Sequence, residues 1–303
     1  MTATPSEHGF LHAGGSTGFL LIHGLSGTPV ELRYVANGLA RRGHTVSCPR
    51  LAGHCGTIED LQATTWQDWY ASVEDALVEL SRRCEKVFVG GLSMGAILAL
   101  RAAELHPDLV AGIVLYAPTL WLDGWGVPWY SRLFALVRDK ITANLIPFSE
   151  RPPYGIKDKR LRALIAEAIH SGDPSKAGFL SIPGGPMLEL RWLVNAVKRD
   201  LAQVTRPVLI LHPREDDRAS LRNTSYLAGH LGGRGETGGL PGGSGLGDVQ
   251  RRVGAPPQRG ATRGGGSAAA RPAPDGPRRR PATRSLRRAR LSGLCHERGQ
   301  SPC

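Results

Sequence analysis

The pentad Gly91-Leu92-Ser93-Met94-Gly95 is the segment of this chain best equipped for covalent chemistry. It lies between an apolar run at 87–89 and a small-residue stretch that starts at Ala96, so a strand passes into a helix at the serine. A turn that tight clashes with side chains on its flanks, and a glycine on each side relieves it. A serine held there presents its hydroxyl as a nucleophile. The helix that begins behind it aims backbone N–H groups at a developing oxyanion. A second constellation, His23-Gly24-Leu25-Ser26-Gly27, ends the first clear apolar strand. In a strand-turn-helix arrangement of this kind the loop at that point supplies the other oxyanion donor, so the N–H of Leu25 pairs with that of Met94. His23 itself reads as a residue that shapes the loop, not as a general base.

The elements that must hold these groups alternate in type. Residues 18–23 (GFLLIH) form a short apolar strand, and Thr28, Pro29 and Glu31 then supply an N-cap, a first-turn proline and a capping-box acid. Leu32, Val35 and Leu39 make one apolar stripe, Gly43 closes the helix, and 44–48 is the next strand. Thr65 opens another helix with Trp69, Val73, Leu77 and Leu80 on one face, running to about Arg83. Residues 96–106 form a helix stopped by Pro107, and 109–117 (LVAGIVLYA) reads as a central strand. Strands alternating with helices of this length predict a parallel α/β sheet with right-handed crossovers.

That alternation stops over 118–205 and resumes with the apolar strand 207–211. The interval holds Trp121, Trp125, Trp129, Tyr130, Tyr154 and Trp192, with helices expected at 158–170 and around 187–201. An aromatic-rich insertion between two sheet strands is read as a cap over an active site.

HGLSGTP, PRLAGHCGT, GLSMG and the later strand with REDD together resemble the α/β-hydrolase superfamily, and within it the small bacterial carboxylesterases and monoacylglycerol lipases. The resemblance covers about residues 18–231, with specific motifs in the two core halves and only a size match in the cap. It implies an α/β-hydrolase fold, a mostly parallel sheet with a helical cap inserted between core strands. Together with the break in alternation and the change of composition near the end, it divides the chain into a first core part (1–117), a cap (118–205), a second core part (206–231) and a low-complexity Arg/Gly/Pro/Ala tail (232–303). The implied activity is hydrolysis of short- to medium-chain carboxylic esters through an acyl-enzyme. The set is Ser, acid and His in that chain order, acting on a small-molecule ester with no metal or organic cofactor. The family pattern puts the acid in the loop 213–217 and favours Asp216, with Asp217 second and Glu215 third.

The same pattern requires a histidine after one more strand. Downstream of Asp216 the chain has only His230 and His296. His230 falls on the helix that follows the acid loop, before any further strand, and His296 sits in an arginine-rich tail. Neither is placed as a general base. Residues 234–240 (RGETGGL) have the length of the last strand without its β-branched residues, and the PGGSGLG that follows has no histidine.

Composition changes at the same place. The 303 residues carry a net charge of +12, but 14 arginines against 4 acids fall within 229–303, and only 24 basic against 22 acidic residues fall within the first 228. The tail has no Lys, Phe, Tyr, Trp or Ile and cannot bury enough apolar surface to offset chain entropy. Gly, Arg, Pro and Ala have codons built from G and C alone, so an out-of-frame stretch of a GC-rich gene has this composition. The alternative reading is a catalytically dead hydrolase fold with a basic RNA-binding tail, although no aromatic residues interleave for base stacking. No specific nucleic-acid partner is expected of the nearly neutral remainder. Five cysteines without a C-x-x-C pair, no transmembrane segment and no signal-peptide layout lead us to expect a cytoplasmic protein.

Overall fold

The computed structural model describes residues 9–127, 129–149, 179 and 181–243. Seven strands form one sheet: β1 (Phe10–His12), β2 (Gly15–Ile22), β3 (His44–Cys48), β4 (Lys86–Leu92), β5 (Val110–Tyr116), β8 (Val208–Glu215) and β9 (Gly235–Gly243). Their order is β1-β3-β2-β4-β5-β8-β9, and every pairing is parallel except β1 with β3. Strand β2 ends in Leu20, Leu21 and Ile22, all buried, as a parallel strand covered on both faces requires.

Helix α3 (Trp66–Ser81) follows Thr65, and Thr65 N donates to Asp68 Oδ2 at 2.8 Å in a capping box. Its expected stripe of Trp69, Val73, Leu77 and Leu80 is buried. The same box at Thr57 and Asp60 opens α2 (Ile58–Ala63), a short helix that the apolar periodicity does not show. Helix α1 (Arg33–Ala40) starts later than the Thr28 cap suggests, because a 3-10 turn over Pro29–Leu32 intervenes. Thr28 caps that turn, and the carboxylate of Glu31 accepts from Gly24 N at 3.1 Å, so this acid also ties the Gly24 loop.

Within 118–205 the structure has a 3-10 helix (Trp129–Leu136), α5 (Lys140–Asn144), the antiparallel pair β6 (Pro147–Ser149) and β7 (Ser181–Pro183), and α6 (Gly184–Asp200). Helix α6 is the one expected near 187–201; the one expected at 158–170 lies outside the described residues. Leu193, Val194 and Val197 of α6 join the same buried cluster as α4 (Met94–Leu105), where Ala96, Ala99 and Ala103 keep the helices close. Arg191 anchors the insertion by donating to the carbonyls of Phe134 (2.7 Å) and Val137. Lys140 reaches the buried Glu189 at 2.6 Å.

The last strand forms despite its composition. Strand β9 pairs with β8 from Val208 opposite Gly235 to Glu215 opposite Gly243, so the sheet continues past residue 232, where the sequence suggests the tail begins. A ladder is made by backbone groups, and glycine can supply them, although it weakens the strand.

Between α4 and the end of α6, Arg101 Nη1 bridges Glu104 Oε2 (3.0 Å) and Asp200 Oδ2 (2.8 Å). Burial pushes the Glu104 carboxyl up to about 7 from its ordinary 4.5, against the pull of Arg101. A carboxyl with a raised folded-state pKa stabilises fully below about 4.5, and that contribution is lost as pH rises through 7. Glu104→Gln is therefore expected to gain stability over the parent on the order of 2 kcal/mol at pH 8, with the gain shrinking toward pH 5. Urea unfolding of both proteins at the two pH values checks this; a pH-independent difference would refute it.

Candidate active site

Ser93 sits at the turn between β4 and α4 with φ 54° and ψ −113°, a region that non-glycine residues rarely occupy. Its N–H is held by the Tyr116 carbonyl at 2.9 Å. Both flanking glycines are sterically required. A Cβ on Gly91 would lie 2.6 Å from Ala96 N and closer still to the Gly95 carbonyl. A Cβ on Gly95 would lie 2.6 Å from the His23 oxygen and closer to that of Ile22. The strain at Ser93 should be measurable: Ser93→Gly is expected to raise stability by about 1–2 kcal/mol. Chemical denaturation reads this directly, and a destabilised variant would show that the turn is not strained.

The Ser93 hydroxyl donates to Thr119 Oγ1 at 3.1 Å, and Thr119 in turn donates to the Ala117 carbonyl at 3.2 Å. Gly24 passes beside the serine, since a Cβ on that glycine would be 3.7 Å from Ser93 Cβ. Leu25 follows in the same loop. Met94 N is the first amide of α4, where intrahelical acceptors are lacking. The predicted donors Leu25 and Met94 thus belong to segments that flank the serine.

His23 is fully engaged as a loop shaper. Its Nε2 accepts from Leu51 N at 3.3 Å, so Nδ1 carries the proton and donates to the Gly24 carbonyl at 2.9 Å. Burial, with the neighbouring His54, lowers its pKa to about 3, so the ring stays neutral. His54 lies edge-on to His23 and Trp69 and is also kept neutral by burial, at about 4.

Of the three acids in the loop after β8, Asp216 and Asp217 are buried and Glu215 is exposed. Asp216 Oδ1 accepts from Arg218 N and Ala219 N, both at 2.9 Å, and Oδ2 lies 3.6 Å from His212 Nε2. Burial raises its carboxyl pKa despite those two amides and His212. Both ring nitrogens of His212 are engaged: Nε2 bonds the Ala219 carbonyl at 2.8 Å and Nδ1 meets Thr224 Oγ1 at 3.0 Å.

Sequence reasoning missed the clamp that positions this acid loop. Asp123 accepts from Ser220 N (2.8 Å), Ser220 Oγ (2.7 Å), Asn223 Nδ2 (3.0 Å) and Trp121 Nε1 (3.0 Å). Asn223, on α7 (Leu221–His230), has its Oδ1 against Leu120 N (2.8 Å) and Trp121 N (3.1 Å). The carbonyls of Asp217 and Arg218 accept from Gly126 N and from Asp123 N and Gly124 N. No motif marks these residues. A polar Asn223 buried in a helix is a signal only once burial is known. Asn223→Leu strands two amides and is expected to cost about 3 kcal/mol, read as a lowered urea midpoint; a shift near zero would show the clamp to be idle.

Among the described residues no histidine hydrogen-bonds Ser93. His106 bonds Glu74 at 2.5 Å; His230 stacks on Tyr226 and bonds that residue's carbonyl at 2.7 Å, as fits a surface histidine. His296 and the rest of the tail, 244–303, lie outside the described residues, as does His170. No three described His, Cys, Asp or Glu side chains converge as a metal site. Beside Thr119 opens a cavity of about 480 Å³, walled by Leu120, Trp121, Phe134, Leu190 and Val194 among others. Its size suits a small organic ligand.

Residues 19–244 match the model of the alpha/beta hydrolase family. The chain is 33% identical over 207 residues to a thermostable monoacylglycerol lipase of Bacillus sp. (strain H-257), covering 68% of this chain and 73% of that one. It is 33% identical over 219 residues to a carboxylesterase of Bacillus subtilis (strain 168), covering 72% and 79%. A solved structure from work on LipS and LipT, two metagenome-derived lipolytic enzymes, superposes with a TM-score of 0.62 at 26% identity, covering 79% of this chain and 89% of that one.

Proposed function

We propose, on the premise that this chain belongs to the alpha/beta hydrolase family and is a carboxylic ester hydrolase, that Ser93 is its nucleophile. The substrates are short- to medium-chain carboxylic esters, monoacylglycerols included. The observation that carries this reading is the strained Ser93 turn, with its hydroxyl directed at Thr119 on the wall of an apolar cavity. Ser93 Oγ attacks the ester carbonyl, the amides of Leu25 and Met94 stabilise the oxyanion, and the alcohol leaves to give an acyl-serine that water hydrolyses. Asp216 is the acid that orients an imidazole and stabilises its charged form.

The imidazole is the missing part. In the family it follows the last strand, but after Gly243 this chain runs through glycine- and arginine-rich sequence with no histidine before His296. We read the break as a departure of the reading frame or gene from the family near 228–234. Translating the other two frames of the coding DNA beyond that point tests this: a strand-like run followed by a histidine supports it, and its absence sinks it. Free, buried Cys48, Cys55 and Cys84 suit a reducing compartment such as the cytoplasm. No helix among the described residues is long and apolar enough to cross a membrane.

A fluorophosphonate probe tests the nucleophile. Slow, stoichiometric labelling that maps to Ser93 and vanishes in Ser93→Ala is expected; labelling elsewhere would refute the assignment.

A further inference from the structure

The cavity beside Thr119 is built for an amphiphile. Its floor is apolar, formed by Leu120, Phe134, Phe148, Met187, Leu190 and Val194, of which Leu120, Leu190 and Val194 are buried. Three guanidiniums, Arg132, Arg191 and Arg222, line the same space against one carboxylate, Asp123. Two of these four charges are already committed. Asp123 is saturated by the four hydrogen bonds that clamp the acid loop, and Arg191 is held by the Phe134 and Val137 carbonyls. Arg132, on the insertion's 3-10 helix, and Arg222, in the first turn of α7, are exposed, and neither side chain has a hydrogen-bond or ion-pair partner among the described residues. An apolar chain on the floor therefore ends toward two cations at the solvent side that are unpaired among the described residues.

We infer that the ester this site takes carries an anionic group, a carboxylate or a phosphate, which Arg132 and Arg222 pair while the acyl chain lies on the apolar floor. This names the substrate class of the proposed ester hydrolase and rests on that reading. Arginine suits the task because its planar fork matches both oxyanion geometries. A neutral monoacylglycerol would leave both guanidiniums without a partner from the ligand.

Binding tests the inference without requiring turnover, using Trp121 in the cavity wall as a fluorescent reporter and Trp121→Phe to localise the response. The full chain is titrated with monomethyl dodecanedioate, monododecyl phosphate and the neutral methyl dodecanoate. At low salt at least one anionic probe should bind about tenfold more tightly than the neutral ester, and the tighter of the two names the preferred headgroup. Arg132→Gln with Arg222→Gln should remove the preference while affinity for methyl dodecanoate stays within about twofold. Equal binding of neutral and anionic probes, or a preference that survives in the double variant, would overturn the inference. Either result leaves Ser93 to be judged by the fluorophosphonate label alone. A Trp121 signal silent to every probe would overturn the inference as well.

Discussion

Purified as the 303-residue chain, the protein should hydrolyse p-nitrophenyl butyrate about a millionfold more slowly than a complete serine hydrolase, and Ser93→Ala should leave that residual rate nearly unchanged. The deficit corresponds to about 8 kcal/mol of activation free energy. It arises because the Ser93 hydroxyl donates its hydrogen bond to Thr119 Oγ1, a hydroxyl that cannot take up the proton at neutral pH, and Thr119 itself donates to the Ala117 carbonyl. His23 and His212 lie in the core of the site region with both ring nitrogens occupied. His54 uses Nδ1 on the Ala52 carbonyl, and burial holds the ring neutral. What survives is substrate binding and the two amide donors, which are worth far less than the assembled set. Steady-state kinetics with a single-turnover arm measure it. Turnover of many per second would refute the missing base, and His170→Gln and His296→Gln would then locate the group that supplies it.

The largest effect on stability should come from Gly95→Ala. One methyl group placed there meets the carbonyl oxygens of Ile22, paired with Gly91 of β4, and of His23, whose ring is tied to the Gly24 carbonyl and Leu51 N, so the backbone on that side is held in place. Overpacking against side chains is partly relieved by rotamer changes, whereas overpacking against a ladder moves backbone. The expected cost is about 4 kcal/mol or more, a large part of the 5–15 kcal/mol that holds a typical domain together. Soluble yield and the urea midpoint report it. Gly229→Ala is the matched control, since a Cβ there meets nothing within 4 Å. Equal stability of the two variants would show that the turn can reshape itself.

These two expectations divide between what was legible in the residues and what was not. Gly91 and Gly95 were readable because a tight strand-to-helix turn imposes its sterics within five residues. The α3 stripe and cap were readable for the same reason of range. The short helix at Ile58–Ala63 had a local signal too, the Thr57/Asp60 box, but its six residues are too few for apolar periodicity to show. Strand β9 ran the other way: its residues argue against a strand, and pairing along β8 supplies what side chains do not.

The positions of Thr119, Asp123 and Asn223 could not be read from their neighbours in sequence. Asp123 meets Ser220 and Asn223 about a hundred residues away only because β5 and β8 lie side by side in the sheet, which brings the loops after them together. The arginines at the cavity were equally silent, since a lone Arg in a polar turn becomes meaningful only when it shares a space with an apolar floor. By itself, then, the sequence determined the tight turn at Ser93, the Gly24 loop beside it and the segment that carries Asp216 and Asp217, because strand, turn and cap signals act over a few residues. Only the tertiary structure decided which histidines were already spent, what clamps the acid loop and which charges face the cavity, because those depend on strand order and burial.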